Sequence, residues 1–263
     1  MDWSNFLLVS GLSRLALAML QALTWVWSRR VGKLAVVDVV WGAGFVVVGL
    51  VSLLAGSGDG SRRLLLAVLV GGWGLRLSWH IFERSKGKGE DPRYTELYGQ
   101  KGPLEAALRV FGVQGLLQWV ISMPLQASAA AGPTEGLWWV VLGVGVAVWA
   151  TGLFFEAVGD AQLKRFKADP ANKGKVMDQG LWAWTRHPNY FGDACVWWGI
   201  FLIALSAATW GVVWTVIAPI AMTHFLRNVS GARLLEKSMS QRPAFQAYMT
   251  RTSYFFPRPP RKA

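Results

Sequence analysis

Residues 136–158 read GLWWVVLGVGVAVWATGLFFEAV, and their one ionisable side chain, Glu156, stands near the end. Coiled as an α-helix at about 1.5 Å per residue, the run is longer than the roughly 30 Å hydrocarbon core of a bilayer. It has no polar face to turn toward water, a pattern that belongs to a membrane span rather than to a surface helix. Outward from it, comparable apolar runs cover residues 6–27, 34–56, 64–82, 106–131, 190–208 and 210–226. The expectation is an all-α integral membrane protein, a seven-transmembrane-helix bundle forming one domain over residues 1–263. The last two runs are separated only near Ala208 to Gly211, so they form either a tight hairpin or one broken segment.

Charge supplies the orientation. With seven spans, the loops at 28–33, 83–105 and 159–189 share one side with the C-terminal tail. That side, with Arg109 at the near end of the 106–131 run, holds every Lys and Arg of the 27 except Arg62 and Arg63, on the opposite side, and Arg14 and Arg76, within spans and away from their ends. Positive charge marks the cytoplasmic face, so the N-terminus is expected outside and the C-terminus inside. The net charge of +12 sits in short loops between apolar runs, which excludes an extended nucleic-acid-binding face. Composition agrees, at 53% hydrophobic, 16% charged and 16 Trp, with Trp25, Trp27, Trp138, Trp139 and Trp210 at span ends as in interfacial belts. The single Cys195 excludes an intrachain disulfide and reads as a packing residue. The start, Met1-Asp2-Trp3, lacks a basic region ahead of the first span, so that span is expected to be retained. From Ser230 to Arg251 the tail alternates charge with Leu234, Leu235, Met239, Phe245 and Tyr248, which predicts helix interrupted near Pro243, and residues 257–263 are expected to fray.

Arg14, Asp38, Arg76 and His80 fall inside the expected spans. Each costs about 2.5–3.5 kcal/mol if it faces lipid, so each is expected to face the bundle interior or a partner. Asp38 and Arg76 suit a structural ion pair. Alternatively Asp38 lines a substrate cavity, where burial raises its pKa and lets the protonated acid donate to a carbonyl oxygen. Three His and one Cys supply no metal-ligand spacing, so no metal site is expected and His80 and His224 read as packing or hydrogen-bonding groups.

The loop ahead of the sixth expected span carries Lys164, Arg165, Lys167, Lys173, Lys175 and Arg186, with Arg227 and Arg233 following the last span. It ends in Arg186-His187-Pro188-Asn189-Tyr190-Phe191-Gly192-Asp193. Pro188 sets the start of a helix, Asn189 and Asp193 lie at i and i+4 at its mouth, and free N–H groups face the loop. Such a mouth suits a phosphate or an amide-bearing ring. Neither G-x-G-x-x-G after a strand nor a P-loop occurs, so any nucleotide must bind in the bundle itself.

Preceded by Gly180-Leu181-Trp182, this segment resembles the C-terminal signature of the steroid 5α-reductase and sterol-reductase superfamily. The whole chain is similar to its bacterial, DUF1295-type branch in the pattern from Asp38 to Gly44, in Gly-Glu-Asp-Pro-Arg-Tyr at 89–94, and in the ending from Glu236-Lys237 to Phe255-Phe256-Pro257. The likeness is specific over residues 150–257. It implies an NADPH-dependent oxidoreductase of the bacterial cytoplasmic membrane that acts on a C=C bond in an apolar lipid or steroid-like substrate. On that likeness Asp160, Lys167, Lys175, Arg186, His187, Asn189, Tyr190, Asp193 and Arg227 surround NADPH, the basic groups at its phosphates and the Asn189–Asp193 pair at its nicotinamide or ribose. Two positions depart from the pattern: Lys167 and Lys175 stand where the steroid enzymes carry Arg, and Trp73 lies near their proton-donating Tyr. Asp38 falls close to their substrate-binding Glu and is the expected catalytic acid, with His80 and Tyr94 as alternates. Isoprenylcysteine carboxyl methyltransferases share an R-H-P-x-Y-x-G turn, so a lipid methyltransferase using S-adenosylmethionine is the alternative, and a non-catalytic lipid-binding protein the third.

Overall fold

The computed structural model describes residues 1–98, 102–229 and 231–260, without the side chains of 97, 98, 103 and 238. Parts of the expected loop at 83–105 and fraying end at 257–263, and Ser230 at the head of the tail, therefore lie outside the described residues. In chain order the helices are α1 (Trp3–Val31), α2 (Val36–Val39), α3 (Trp41–Ala55), α4 (Gly60–Ser85), α5 (Pro92–Tyr98), α6 (Pro103–Ala106), α7 (Val113–Ile121), α8 (Met123–Ala129), α9 (Trp138–Ala168), α10 (Leu181–Trp184), α11 (Pro188–Leu205), α12 (Trp210–Val213), α13 (Ile217–His224), α14 (Ala232–Met239) and α15 (Pro243–Arg251). Among the described residues the one pairing of extended backbone is a parallel bridge between Thr185 and Ser253. Five helical runs are long and apolar enough to cross a membrane: Trp3–Val31, Gly60–Ser85, Leu104–Ile121, Trp138–Ala168 and Trp210–Lys237; Trp41–Ala55 is apolar but shorter.

Local chemistry sets the helix ends. Asp2 and Asp59 accept hydrogen bonds from the backbone of Asn5 and Arg62 and cap α1 and α4, and Gly32 closes α1 in the left-handed region at φ 69°. The chain turns between α11 and α12 at Ala208, with φ 52°, and Thr209 then caps α12. The tail forms α14 and α15 with the break just before Pro243, as its residue pattern predicts.

The chain falls into two compact units, residues 1–142 with 203–218, and residues 143–202 with 219–263. In the first, α1 shows the inside-out pattern of a membrane helix. Leu7, Leu8, Leu12, Leu15 and Leu23 are exposed, whereas Ser10, Ser13, Gln21, Thr24 and Ser28 are buried. Helices α3 and α4 cross so closely that a Cβ on Gly42 would stand 2.2 Å from the Gly74 carbonyl oxygen. Phe6, Met123, Ala127, Ala204 and Val212 form an apolar cluster at one end of this unit.

Several expectations are corrected here. The span expected over 34–56 breaks at Val40 (φ −89°, ψ 4°), which leaves Asp38 on the separate turn α2, ahead of the apolar helix α3. At the break the buried Gln118 amide donates to the carbonyls of Val40 and Trp41 at 3.2 and 2.9 Å, and the Val40 carbonyl also accepts the Gly44 N–H that opens α3. The span expected over 106–131 stops at Ile121: Ser122 bends the backbone and Pro124 starts the short, fully buried α8. Arg14 is exposed rather than turned inward, its guanidinium 5.8 Å from the Trp119 ring. Arg62 is no loop charge. It is 1% exposed and donates to Ser128, Thr134, Ala131 and Gly132 at 2.6–3.0 Å, which binds α4 to the 128–134 turn.

In the second unit α9 and α11 meet through glycines. A Cβ on Gly152 would come 2.5 Å from the Gly192 oxygen, one on Gly199 within 2.6 Å of the Trp149 nitrogen, and one on Gly159 within 3.1 Å of the Pro188 ring. Small residues let backbones approach in this way, so dispersion replaces the hydrophobic drive that lipid does not supply.

Candidate functional site

In the first unit the Gly-Glu-Asp-Pro-Arg-Tyr stretch closes over α2. The Glu90 carboxylate accepts the N–H groups of Leu34 and Ala35, filling donors that open the short helix. Asp91 holds Arg93 through the backbone N–H at 2.9 Å and through the guanidinium at 2.9 and 3.1 Å. Arg93 extends to Asp38 at 3.2 Å, and the Tyr94 hydroxyl donates to the other Asp38 oxygen at 2.7 Å. Burial pushes the Asp38 carboxyl above its ordinary range, against the opposing pull of the Tyr94 hydrogen bond and the Arg93 charge. Tyr94 is likewise raised, by burial first and then by the Asp38 charge, whereas the hydrogen bond from Arg93 holds Asp91 low.

Two of the three expected catalytic residues, Asp38 and Tyr94, are thus in direct contact. His80 is half-buried along α4. Asp38 takes Arg93 as its cation, the partner a reading of spans alone assigns to Arg76. Trp73, near the family's tyrosine position, is wholly buried and packs on Phe45 at 5.7 Å.

In the second unit the residues around Pro188 do two jobs. Arg186 holds the tail: its Nε and Nη2 donate to the two oxygens of Glu236 at 2.7 and 3.1 Å, and Nη1 donates to the carbonyls of Met249 and Thr252 at 3.2 and 2.9 Å. Its backbone N–H meets Ser253 and the Thr185 hydroxyl meets the Phe255 carbonyl, both at 2.9 Å. His187 Nε2 shares the Glu236 Oε1 at 2.8 Å, with Tyr190 stacked on the imidazole and Tyr254 edge-on to it. Asn189, in the first turn of α11, donates to Asp160 of α9 at 3.2 Å. Glu156, Asp160 and Asp193 are all buried, so the mouth of α11 is rich in carboxylates.

Beside this lies a half-open cleft of ≈ 390 Å³ lined by Arg186, Arg227, Arg251, Arg258 and the aromatic run Tyr254 to Phe256. Arg227 and Arg186 lie 5.7 and 5.3 Å from the Tyr254 ring centre. Arg251 pairs with Asp178. Lys175 lines a second hollow of ≈ 340 Å³ with Asp178, Gln179 and Arg251, and Lys167 is exposed near the end of α9. The structure therefore draws Asp160 to Asn189, joins Arg186, His187 and Tyr190 around Glu236, and sets Arg227 on the cleft. Glu236, Tyr254, Arg251 and Arg258 escape sequence reasoning as site residues; the available signal is the alternation of charge with aromatics between Glu236 and Arg258.

Helices this apolar define a polytopic membrane protein, and its second unit carries a basic, aromatic cleft. The match of residues 24–252 to the family described as "Protein of unknown function (DUF1295)" makes the chain a member of that steroid 5α-reductase-like group. It is similar to the uncharacterized protein C594.04c of Schizosaccharomyces pombe, 30% identical over 96 residues that cover 36% of this chain and 27% of that protein. A shorter stretch of 49 residues is 45% identical to the probable O-methyltransferase ustE of Ustilaginoidea virens, covering 19% of this chain and 17% of that protein. The chain thus spans less than a third of the length of either relative. No solved structure matches.

Proposed function

We propose that the protein is an NADPH-dependent membrane reductase of an activated C=C bond in an apolar lipid, with seven crossings, its C-terminal side in the cytoplasm and a bacterial inner membrane as its home. The observation that carries this reading is the cleft lined by four arginines and no acid. Guanidinium groups fit phosphate oxygens in paired hydrogen bonds, so the donor set suits a pyrophosphate and a 2′-phosphate. Arg227 and Arg258 are the groups we assign to those phosphates, with Asn189 and Asp160 offering an amide, a carbonyl and a carboxylate to a nicotinamide or ribose. Bound NADPH would supply hydride. The chain's own contribution is a proton: Asp38, whose carboxyl is held above its ordinary range beside the Tyr94 hydroxyl, keeps it at Oδ for the carbonyl oxygen or carbon that must gain it.

A lipid methyltransferase using S-adenosylmethionine is the second reading, favoured by the stretch shared with ustE. Electrostatics oppose it, since that cofactor carries a sulfonium, an ammonium and a single carboxylate but no phosphate, and so gains less from a cleft of several arginines. Titration of purified protein with each cofactor, followed by tryptophan fluorescence, separates them. Saturable quenching by NADPH that Asn189→Ala weakens supports the reductase. Binding of S-adenosylmethionine alone reverses the order, and binding of neither leaves a lipid-binding protein without catalysis.

A further inference from the structure

The first unit hides a seam of polar side chains that the proposed chemistry does not use. On the 114–126 stretch Gln114, Gln118, Ser122 and Gln126 recur every fourth position, so they follow one face of the helical run. Facing them, α1 buries Ser10, Ser13, Gln21, Thr24 and Ser28. The two stripes are joined at intervals. Gln21 Nε2 donates to Gln118 Oε1 at 2.8 Å and the Trp119 indole donates to Ser10 Oγ at 3.1 Å, while within the 114–126 stripe Gln126 Nε2 donates to Ser122 Oγ at 2.8 Å. At one end Gln114 bonds the Tyr94 side chain, which holds Asp38.

Three polar atoms on these stripes have no hydrogen-bond partner among the described residues: Ser13 Oγ, Gln21 Oε1 and Gln126 Oε1. All three side chains belong to residues at most 5% exposed. Buried hydroxyl and amide oxygens are almost always bonded, and a roomy polar site between helices takes water for this purpose, each molecule making about three bonds. Neutral polar side chains between membrane helices bond to one another where they can, and an atom left over has no lipid partner to turn to.

We propose that the α1/α7–α8 seam holds a file of ordered internal water molecules, bonded to Ser13, Gln21 and Gln126 and continuous through Gln118 and Gln114 with the Tyr94–Asp38 pair. The occupant is water because the orphaned atoms are neutral acceptors or hydroxyls, spaced along the seam with no charged group among them.

Radiolytic hydroxyl labelling of the full-length protein, read by mass spectrometry, tests this without any cofactor. Leu17 lies between Ser13 and Gln21 on the same buried face of α1 and is 1% exposed; Leu66 on α4 is 3% exposed and lies off the seam. Water held beside Leu17 makes it label several-fold faster than Leu66. Equal rates at the two leucines overturn the proposal. Gln21→Met, which removes an orphaned acceptor beside Leu17 at similar volume, is expected to bring the Leu17 rate down to that of Leu66, and an unchanged rate also counts against the file. Should that variant fail to fold, Ser13→Ala makes the same comparison. Because the readout is labelling alone, it stands or falls independently of whether NADPH binds.

Discussion

His187 and Glu236, 49 positions apart in the chain, meet at 2.8 Å, and the same carboxylate oxygen accepts the Arg186 Nε–H at 2.7 Å. One buried carboxylate thus ties the turn that opens α11 to α14, while the remaining guanidinium donors reach Met249 in the last turn of α15 and Thr252 just beyond it. The motif that looked like a phosphate grip is in large part the anchor of the C-terminal segment, and the cleft it supports is built by that segment.

Glu236→Ala should destabilise the second unit by about 3–5 kcal/mol, because it leaves Arg186 buried without its counter-ion. Thermal unfolding reads the loss, and limited proteolysis should cut faster within 249–258. Glu236→Gln, which keeps the shape and an acceptor, should lose less.

Arg227→Ala and Arg258→Ala should each weaken NADPH binding roughly tenfold, about 1.4 kcal/mol, the low end for a charge-assisted contact because both side chains are exposed. The effect should shrink as salt is raised. Fluorescence titration at two ionic strengths checks it, with S-adenosylmethionine as the ligand that neither change should affect.

Asp38 gives a pH prediction with a definite sign. Its folded pKa is raised, so in the window between the ordinary carboxylate range and the raised value the folded state binds more protons than the unfolded one, and stability falls as pH rises through it. Asp38→Asn removes that slope. The difference in unfolding free energy between wild type and variant should favour the wild type progressively as pH is lowered through the window; a difference independent of pH would contradict the raised carboxyl.

Gly192→Ala should be among the most damaging single-methyl additions in the chain, since its Cβ would stand 2.5 Å from the Gly152 oxygen and 2.6 Å from the Glu156 nitrogen. Neither neighbour is a side-chain end that can swing away. Gly143→Ala, within α9 and with nothing inside 4 Å, should be neutral or stabilising by up to about 1 kcal/mol. Yield of folded protein and thermal unfolding distinguish the two.

Much of the fold was legible because membrane helices announce themselves by length and composition. The runs at 6–27, 64–82 and 136–158 all reappear within apolar helices, with the ends displaced by caps such as Asp2 and Asp59. What misled was continuity. Hydropathy continues through Val40 and through Ser122, but the backbone bends at both, and nothing in an apolar average reports a bend that Gln118 or Pro124 makes tolerable.

The site divides in the same way. Residue type and position were enough to single out Asp38 and the stretch from Arg186 to Asp193, because charged and amide side chains are scarce in this chain and each therefore stands out, whereas Tyr94 entered only through the family resemblance. Their pairings were decided only by the tertiary structure: Asp38 with Tyr94 and Arg93 rather than Arg76, Asn189 with Asp160, and Arg186 with Glu236. The physical reason is range. Hydropathy and helical period act over a few turns of local chain and are written in the sequence itself, whereas a buried charge is satisfied by whichever partner the packed helices bring within about 3 Å, however far away it lies along the chain.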